Sequence, residues 1–309
     1  MLDPLVALGV AAVEAGVGYP RRLSHPVQWI GALIATLDRR WNREDISPRA
    51  RRVAGIAALI LIIAVAGVAG LLVQQLAAAV PFGVVLLIVV ATTGVAQRSL
   101  NAHVDAVARA LAAGRIDEAR AQVGLIVGRD TDVLNVQGIA AAALESLAES
   151  FSDGVIAPLF WLVVGGLPGL FIYKAVNTAD SMIGHMEPRW RDFGFAAART
   201  DDLLNLVPAR LTGTLIAVAA GAGFSTMLAD ARKHASPNAG WPEAAMAGGL
   251  GLRFGGPVQY DGQVHERPVF NANGLPPQGA DIGRGLALYR RACAVGWALL
   301  LIGGLLWRL

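Results

Sequence analysis

Cysteine is almost absent: the 309 residues include one, Cys293. A single thiol forms neither an internal disulfide nor a thiolate zinc site, and in an apolar segment it reads as a small packing residue. Charge is scarce too, at 16% of residues against 55% hydrophobic, with a mean hydropathy of +0.52. A soluble core seldom carries such long charge-free runs, so the composition points to a multispanning membrane protein. Lysine is nearly missing, with only Lys174 and Lys233 against twenty-four arginines. The formal net charge of +3 gives no indication of a nucleic-acid partner. There is no G-x-x-x-x-G-K-[S/T] phosphate loop, no H-E-x-x-H and no paired C-x-x-C. A nucleotide, if used, must be gripped by another arrangement. Without internal repeats, low-complexity tracts or linkers, residues 1–309 read as one domain.

What is present is a set of apolar stretches. Leu2 to Tyr19 lacks a cationic start, carries Asp3 and Glu14, shows no clear cleavage pattern and reads as a retained membrane helix. Val53 to Val80 is the clearest span, since about 20 apolar residues cross the hydrocarbon layer. Pro81 interrupts it, and Phe82 to Ala96 completes a helical hairpin. Val155 to Tyr173 is broken by GGLPG at Gly165 to Gly169; Leu206 to Phe224 and Ala292 to Trp307 follow. The fold expected is all-α and polytopic, with about five membrane segments and cytoplasmic helical loops. Between Arg21 and Arg52 lie eight arginines opposed by Asp38, Glu44 and Asp45, a bias that marks a cytoplasmic loop. Asn101 to Gly128, alanine-rich with spaced charges, is expected to form solvated helices outside the bilayer. Val155 to Tyr173 either crosses fully or re-enters as two half-helices; re-entry keeps the flanking polar blocks on the cytoplasmic side and is favoured. Broken helices of that kind need burial in protein or a polar cavity.

The polar residues gather in three blocks beside these stretches: ESLAESFSDG (Glu145 to Gly154), YKAVNTADSMIG (Tyr173 to Gly184) and HASPNAGWPE (His234 to Glu243). Ionisable groups at a bilayer are costly and mark function. Glu145, Glu149 and Asp153, at i, i+4 and i+8, share one helix face; like charges so placed suit a cation such as Mg²⁺, or else form a solvated acidic face. Lys174, Asn177, Asp180 and Ser181 fall on one helical arc, with Val176, Ala179 and Ile183 towards the other side. Lys174 either meets a phosphate or snorkels. Ser236, Asn238 and Gly240 form a turn whose amides can face an anion, and Pro242-Glu243 suits the first turn of a helix. Ala244 to Gly251 is nearly all small and permits close packing. His234 is either a base or a hydrogen-bonded structural residue. His25 and Trp29 flank a rigid proline, and Arg199, Asp201, Asp202, Asn205 and Arg210 cluster where a membrane segment begins.

Five segments in order, HPVQWIG (from His25), ESLAESFSDGVIAPLFW (from Glu145), GGLPGLFIYKAVNTADSMIGH (from Gly165), FGFAAARTDDLLNLVPARLTG (from Phe193) and SPNAGWPEAAMAGGLG (from Ser236), carry a resemblance. The chain resembles the CobD/CbiB family of cobalamin biosynthesis, the membrane-bound adenosylcobinamide-phosphate synthases. Ser150-Phe151-Ser152 departs from the family pattern, in which an Asn followed by a small residue is expected.

The resemblance implies an acid–amine ligase: a side-chain carboxylate of adenosylcobyric acid joined to the amine of aminopropanol phosphate, or a related amino-alcohol phosphate, driven by ATP with Mg²⁺. Under it Glu145, Glu149, Asp153, Asp201 and Asp202 are the metal candidates, and Lys174, Asp180 and His234 the catalytic ones. Substrate contacts fall to His25, Asn177, Ser181, Arg199, Arg210, Lys233, Ser236, Asn238 and Glu243. The implied partners are the corrinoid, the amino-alcohol phosphate, membrane lipid and other membrane-bound cobalamin-assembly enzymes. The location is the cell membrane, with the polar blocks converging on its cytoplasmic side. The rival reading is a transporter or sensor of an anionic ligand, which the broken GGLPG segment suits.

Overall fold

The computed structural model describes residues 1–19, 25–260 and 262–309. Thirteen α-helices dominate the described residues: α1 (Pro4–Val17), α2 (Pro26–Trp41), α3 (Pro48–Ala79), α4 (Gly83–Thr92), α5 (Gln97–Ala112), α6 (Ile116–Gly124), α7 (Val136–Phe151), α8 (Ala157–Ile183), α9 (Phe195–Leu204), α10 (Leu206–Ala220), α11 (Phe224–Asp230), α12 (Gly240–Leu250) and α13 (Gly279–Trp307). Four short strands, β1 (Phe254–Gly255), β2 (Val258–Tyr260), β3 (Gln263–His265) and β4 (Val269–Phe270), pair antiparallel as β1 with β4 and β2 with β3. Four helical runs, 48–79, 83–112, 136–183 and 279–307, are long and apolar enough to cross a membrane, or five if α9 and α10 form one broken span. The expected all-α polytopic class is what the chain forms.

The chain divides into two compact units, neither continuous in sequence. Residues 1–96, 157–205 and 300–309 make the first, and 97–156 with 206–299 make the second. Because the chain passes repeatedly between the two, no linker betrays them in the sequence.

In the first unit, helices start where a short polar side chain precedes proline. Asp3, His25 and Ser47 accept from the amides of Leu5, Val27 and Ala50, and a proline follows each. Proline loses nothing there, since its missing N–H belongs to the unpaired first turn. α1 is shorter than expected for a membrane helix: 14 residues reach about 21 Å, short of the roughly 30 Å hydrocarbon core. It is tied instead to the C-terminus, where Arg308 pairs with Asp3 at 2.9 Å. α3, at 32 residues, is long enough to span, and it packs along α8 around Ile34, Ile62, Val176, Ala179 and Phe193.

α8 is two half-helices. At Gly166 the backbone leaves the helical region (φ 64, ψ −157), two residues before Pro168. A Cβ added at Gly169 would stand 2.5 Å from the carbonyl oxygen of Trp161, eight residues earlier; a continuous helix would hold such residues about 12 Å apart. The helix is therefore sharply broken at GGLPG, where the sequence places an interruption. The freed backbone groups find partners from other elements. Gln74 Oε1 of α3 accepts from the Leu167 N–H at 2.9 Å, and the Leu2 N–H donates to the Val163 carbonyl at 2.8 Å. Gly70 lets α3 approach the break: a Cβ there would lie 2.7 Å from Pro168 Cα.

In the second unit, α12 packs against α10, α11 and α7, and its small residues make this possible as expected. α5 buries Leu100, Val104, Val107 and Ala110 and packs on α6 and α7. The segment expected as a solvated arm is thus half-embedded in the unit. Between α7 and α8, Ser152–Ile156 forms one π-helical turn.

Gln74 supplies a test of the break. Gln74→Ala strands the Leu167 N–H in an apolar setting, a loss of about 1–3 kcal/mol. The variant should melt at a lower temperature in detergent, whereas Gln75→Ala, one position on, should have little effect.

Candidate functional site

The chemistry-bearing side chains fall into two groups, one in each unit. In the first unit they form a chain of hydrogen bonds. Lys174 Nζ donates to Asn177 Oδ1 at 3.3 Å, and Asn177 Nδ2 to Asp201 Oδ1 at 3.3 Å. Asn205 Nδ2 donates to Asp201 Oδ2 at 2.9 Å and accepts from the Tyr173 hydroxyl at 3.0 Å. Tyr173 and Asn205 are fully buried, while Lys174 and Asn177 are half-buried. The arc foreseen on α8 is present, with Val176, Ala179 and Ile183 in the core. Asp180 is half-buried and Ser181 exposed, its hydroxyl bonded back to the Asn177 carbonyl. His25 caps α2 and lies against Tyr19; burial, with the charge of Lys174, lowers its pKa. Arg199 is exposed and pairs with Asp202 at 3.3 Å. Both oxygens of Asp201 accept from asparagine amides, and so does nothing here resemble a ready-made metal cage.

The second unit holds a buried charged centre. Glu145 of α7 pairs with Arg129 through Oε2 and accepts the Gly255 N–H through Oε1 at 2.8 Å. Arg267, from the connection between β3 and β4, lies 3.8 Å from Glu145 and 4.0 Å from Glu243 Oε2. Its guanidinium is 3.0 Å from His234 Nε2. His234 Nδ1 accepts the Ser236 N–H at 2.9 Å, which leaves Nε2 directed at Arg267 and Glu243. That nitrogen faces Glu243 Oε1 at 3.8 Å. Glu243 occupies the first turn of α12, as expected, and is 1% exposed. Its Oε2 has no hydrogen-bond partner among the described residues.

The two titratable groups are pushed towards each other. Burial, then Glu145 and Glu149, raise the Glu243 carboxyl well above its ordinary value against Arg267 and Arg129. Burial, then Arg267, lower His234 despite Glu145. Both shifts favour the neutral form of the group concerned.

Around this centre, Arg210 stacks over Trp241 at 4.6 Å and donates to Asn238 Oδ1 at 3.4 Å. Lys233 pairs with Asp230 at 2.6 Å. The turn at Ser236 differs from expectation. The Asn238 and Ala239 amides donate to Ser236 Oγ at 3.2 and 3.3 Å, so these two amides serve the turn itself instead of facing an anion. Glu149 is exposed and Asp153 half-buried, with the π-turn beginning just after Phe151. No group of three His, Cys, Asp or Glu residues among those described has the geometry to hold a metal ion. Arg129 and Arg267 lie outside the blocks read from sequence. Ser152, whose buried hydroxyl has no hydrogen-bond partner among the described residues, lies inside one of them.

The sign of the Glu243 effect is testable. A carboxyl raised in the folded state stabilises fully below its unfolded value of 4.5 and loses that stabilisation as pH rises. Glu243→Gln cannot ionise, so in detergent it should melt above the wild type at pH 8, by on the order of a few degrees. The gap should narrow towards pH 5. A variant less stable at pH 8 would show that the ionised carboxylate supports the fold.

A family model described as CobD/Cbib protein matches residues 6–289. A cobalamin biosynthesis protein CobD from Rhodobacter capsulatus is 49% identical over 297 residues, covering 94% of this chain and 93% of that protein. Proteins of the same name from Brucella suis and a Sinorhizobium species are 44% and 45% identical, the former covering 92% of each chain and the latter 94% of this chain and 95% of its own. No solved structure matches. The likeness extends across both units and every polar group described, and the chain belongs to the CobD/CbiB family.

Proposed function

We propose that the chain is a membrane-bound acid–amine ligase of cobalamin biosynthesis. It joins a side-chain carboxylate of adenosylcobyric acid to the amine of aminopropanol phosphate, or a related amino-alcohol phosphate, at the expense of ATP. The observation that carries the reading is the buried cluster of Glu243, His234, Glu145, Arg267 and Arg129, which gathers acids, a histidine and arginines in one place.

A carboxylate is a poor acyl donor because oxide would have to leave. Attack of the carboxylate oxygen on the terminal phosphorus of ATP breaks the bond to ADP and gives an acyl phosphate. The amine, once it has lost its proton, attacks the carbonyl carbon and expels phosphate. The protein's share is alignment, charge neutralisation and removal of the ammonium proton. Glu243, whose carboxylate burial makes more basic, suits the last task, with His234 beside it. Within the second unit Arg210 and Lys233 suit phosphate oxygens, with Asn238 a polar contact beside Arg210; within the first unit Lys174 is the phosphate candidate, with Asn177 and Ser181 on the same helix.

Mg²⁺ binds through one or two carboxylates together with water and substrate phosphates. Glu149 and Asp153, about one turn apart and reachable from solvent, fit that requirement. Glu145 fits it less well, since Arg129 and Gly255 take its two oxygens. When bound, the ion would neutralise phosphate charge. The half-helices of α8 also suit a transporter, which would bind the same molecules without turnover.

Purified protein in detergent, given adenosylcobyric acid, aminopropanol phosphate and Mg·ATP, should form the amide with one ADP per product. Binding without ADP release favours the carrier. Glu149→Gln should retain the wild-type fold and need about tenfold or more Mg²⁺ for half-maximal rate; an unchanged Mg²⁺ requirement removes Glu149 from the metal site.

A further inference from the structure

We infer that the second unit contains an amine-recognition subsite, in which Glu243 Oε2 receives the ammonium group of the amino-alcohol phosphate. The inference rests on the ligase reading and adds where the amine is read. Glu243 is the one carboxylate with a buried oxygen lacking any hydrogen bond among the described residues. An isolated buried acceptor is costly to maintain, and an N–H donor from a ligand removes the deficit.

The neighbours favour an amine over other donors. Glu145, the nearest competing carboxylate, is committed to Arg129 and to the Gly255 amide. Arg267 reaches Glu243 only at 4.0 Å, outside hydrogen-bonding distance, with its other terminal nitrogen 3.8 Å from Glu145 Oε2. Its guanidinium shows that the space between Glu145 and Glu243 accepts a cation without satisfying Glu243. A compact ammonium with three donors can approach more closely than a planar guanidinium already held elsewhere. His234 Nε2 stands 3.8 Å from the other Glu243 oxygen, so ring and carboxylate form the two sides of the subsite. Arg267 is carried on a short connection between β3 and β4 rather than on a helix. That connection adjoins the β2–β3 hairpin, whose Gln259 carbonyl accepts from the Asp130 N–H at 2.9 Å.

The test compares two ligands that differ only at C1: 1-aminopropan-2-ol 2-phosphate, which carries an ammonium there, and propane-1,2-diol 2-phosphate, which carries a hydroxyl. Affinities are read by calorimetry on the full chain in detergent. The wild type should prefer the amine by about 10- to 100-fold, the worth of a charge-assisted hydrogen bond. Glu243→Gln should bind both alike, while Glu243→Asp, which withdraws the carboxylate but keeps its charge, should retain part of the preference. A wild type without preference overturns the subsite, as does a Glu243→Gln protein that keeps it. In either case amide formation by the wild type leaves the ligase reading standing. If the wild type binds neither phosphate and makes no amide, the ligase reading falls and the subsite falls with it. The wild-type comparison needs no variant, so a misfolded substitution cannot shelter the inference.

Discussion

The fold depends on satisfying a broken helix where water is scarce. A helix end exposes unpaired N–H and C=O groups, and inside a bilayer each such group costs several kcal/mol unless protein supplies a partner. At Gly166 the first unit creates two helix ends at once. Gln74 answers the donor at Leu167, and the backbone of Leu2 answers the carbonyl at Val163. These contacts bind the N-terminal segment, α3 and both halves of α8 into a mutually dependent set. Gly70 and Gly166 serve the same set, because a side chain at either would collide with Pro168 or Gln74. The second half of α8 is thereby oriented, and with it Lys174, Asn177 and Tyr173.

Burial sorts the charged groups by what they can do. Pairs such as Arg199–Asp202 and Lys233–Asp230 are exposed on the basic side, and contribute little in water. Glu145 and Arg129 are buried at 4% and 10% side-chain exposure. Removing one partner of a buried pair leaves an uncompensated charge, a loss of about 3–5 kcal/mol. Their pairing therefore fixes α7 against the segment before it and against β1. It also gives Glu243 a fixed electrostatic background, since Glu145 raises its pKa while Arg129 and Arg267 lower it.

Much of this was legible in the sequence wherever a local pattern had one physical meaning. Gly-Gly-Leu-Pro-Gly inside an apolar run can only break a helix, and the 3.6-residue period of Lys174, Asn177 and Ser181 against Val176, Ala179 and Ile183 can only split polar from buried. Pro242-Glu243 opened a helix as its chemistry requires. The failures were non-local. Gln74 stands in the apolar run LLVQQLAAAV, and an unexplained polar residue there was the available signal. Arg129 and Arg267 meet Glu145 from 16 and 122 positions away, and nothing in local periodicity announces such a contact. The β2–β3 hairpin had a cue in the Asp261-Gly262 pair between short alternating segments. The π-turn had none, because it inserts no distinctive residue. Spacing alone grouped Glu145 with Glu149 and Asp153, yet their exposures diverge: the first lies in the protein and the other two reach towards solvent.

The orphaned oxygen of Glu243 is what a purely structural account leaves unexplained. An apolar side chain at the head of α12 would fill the same volume without a desolvation penalty, and a glutamine would avoid the ionisation problem. The helix N-terminus favours a carboxylate there, but a favourable dipole does not require an oxygen to go unbonded. Burying a raised carboxyl weakens the fold as pH rises, and burying a lowered histidine weakens it as pH falls, because each group resists the charge it would carry in water. Sites that trade stability in this way are characteristic of function. The proposed amide formation needs such a place, since an amine arrives protonated and becomes nucleophilic only after a nearby base, here a carboxylate that burial makes reluctant to stay charged, has accepted its proton.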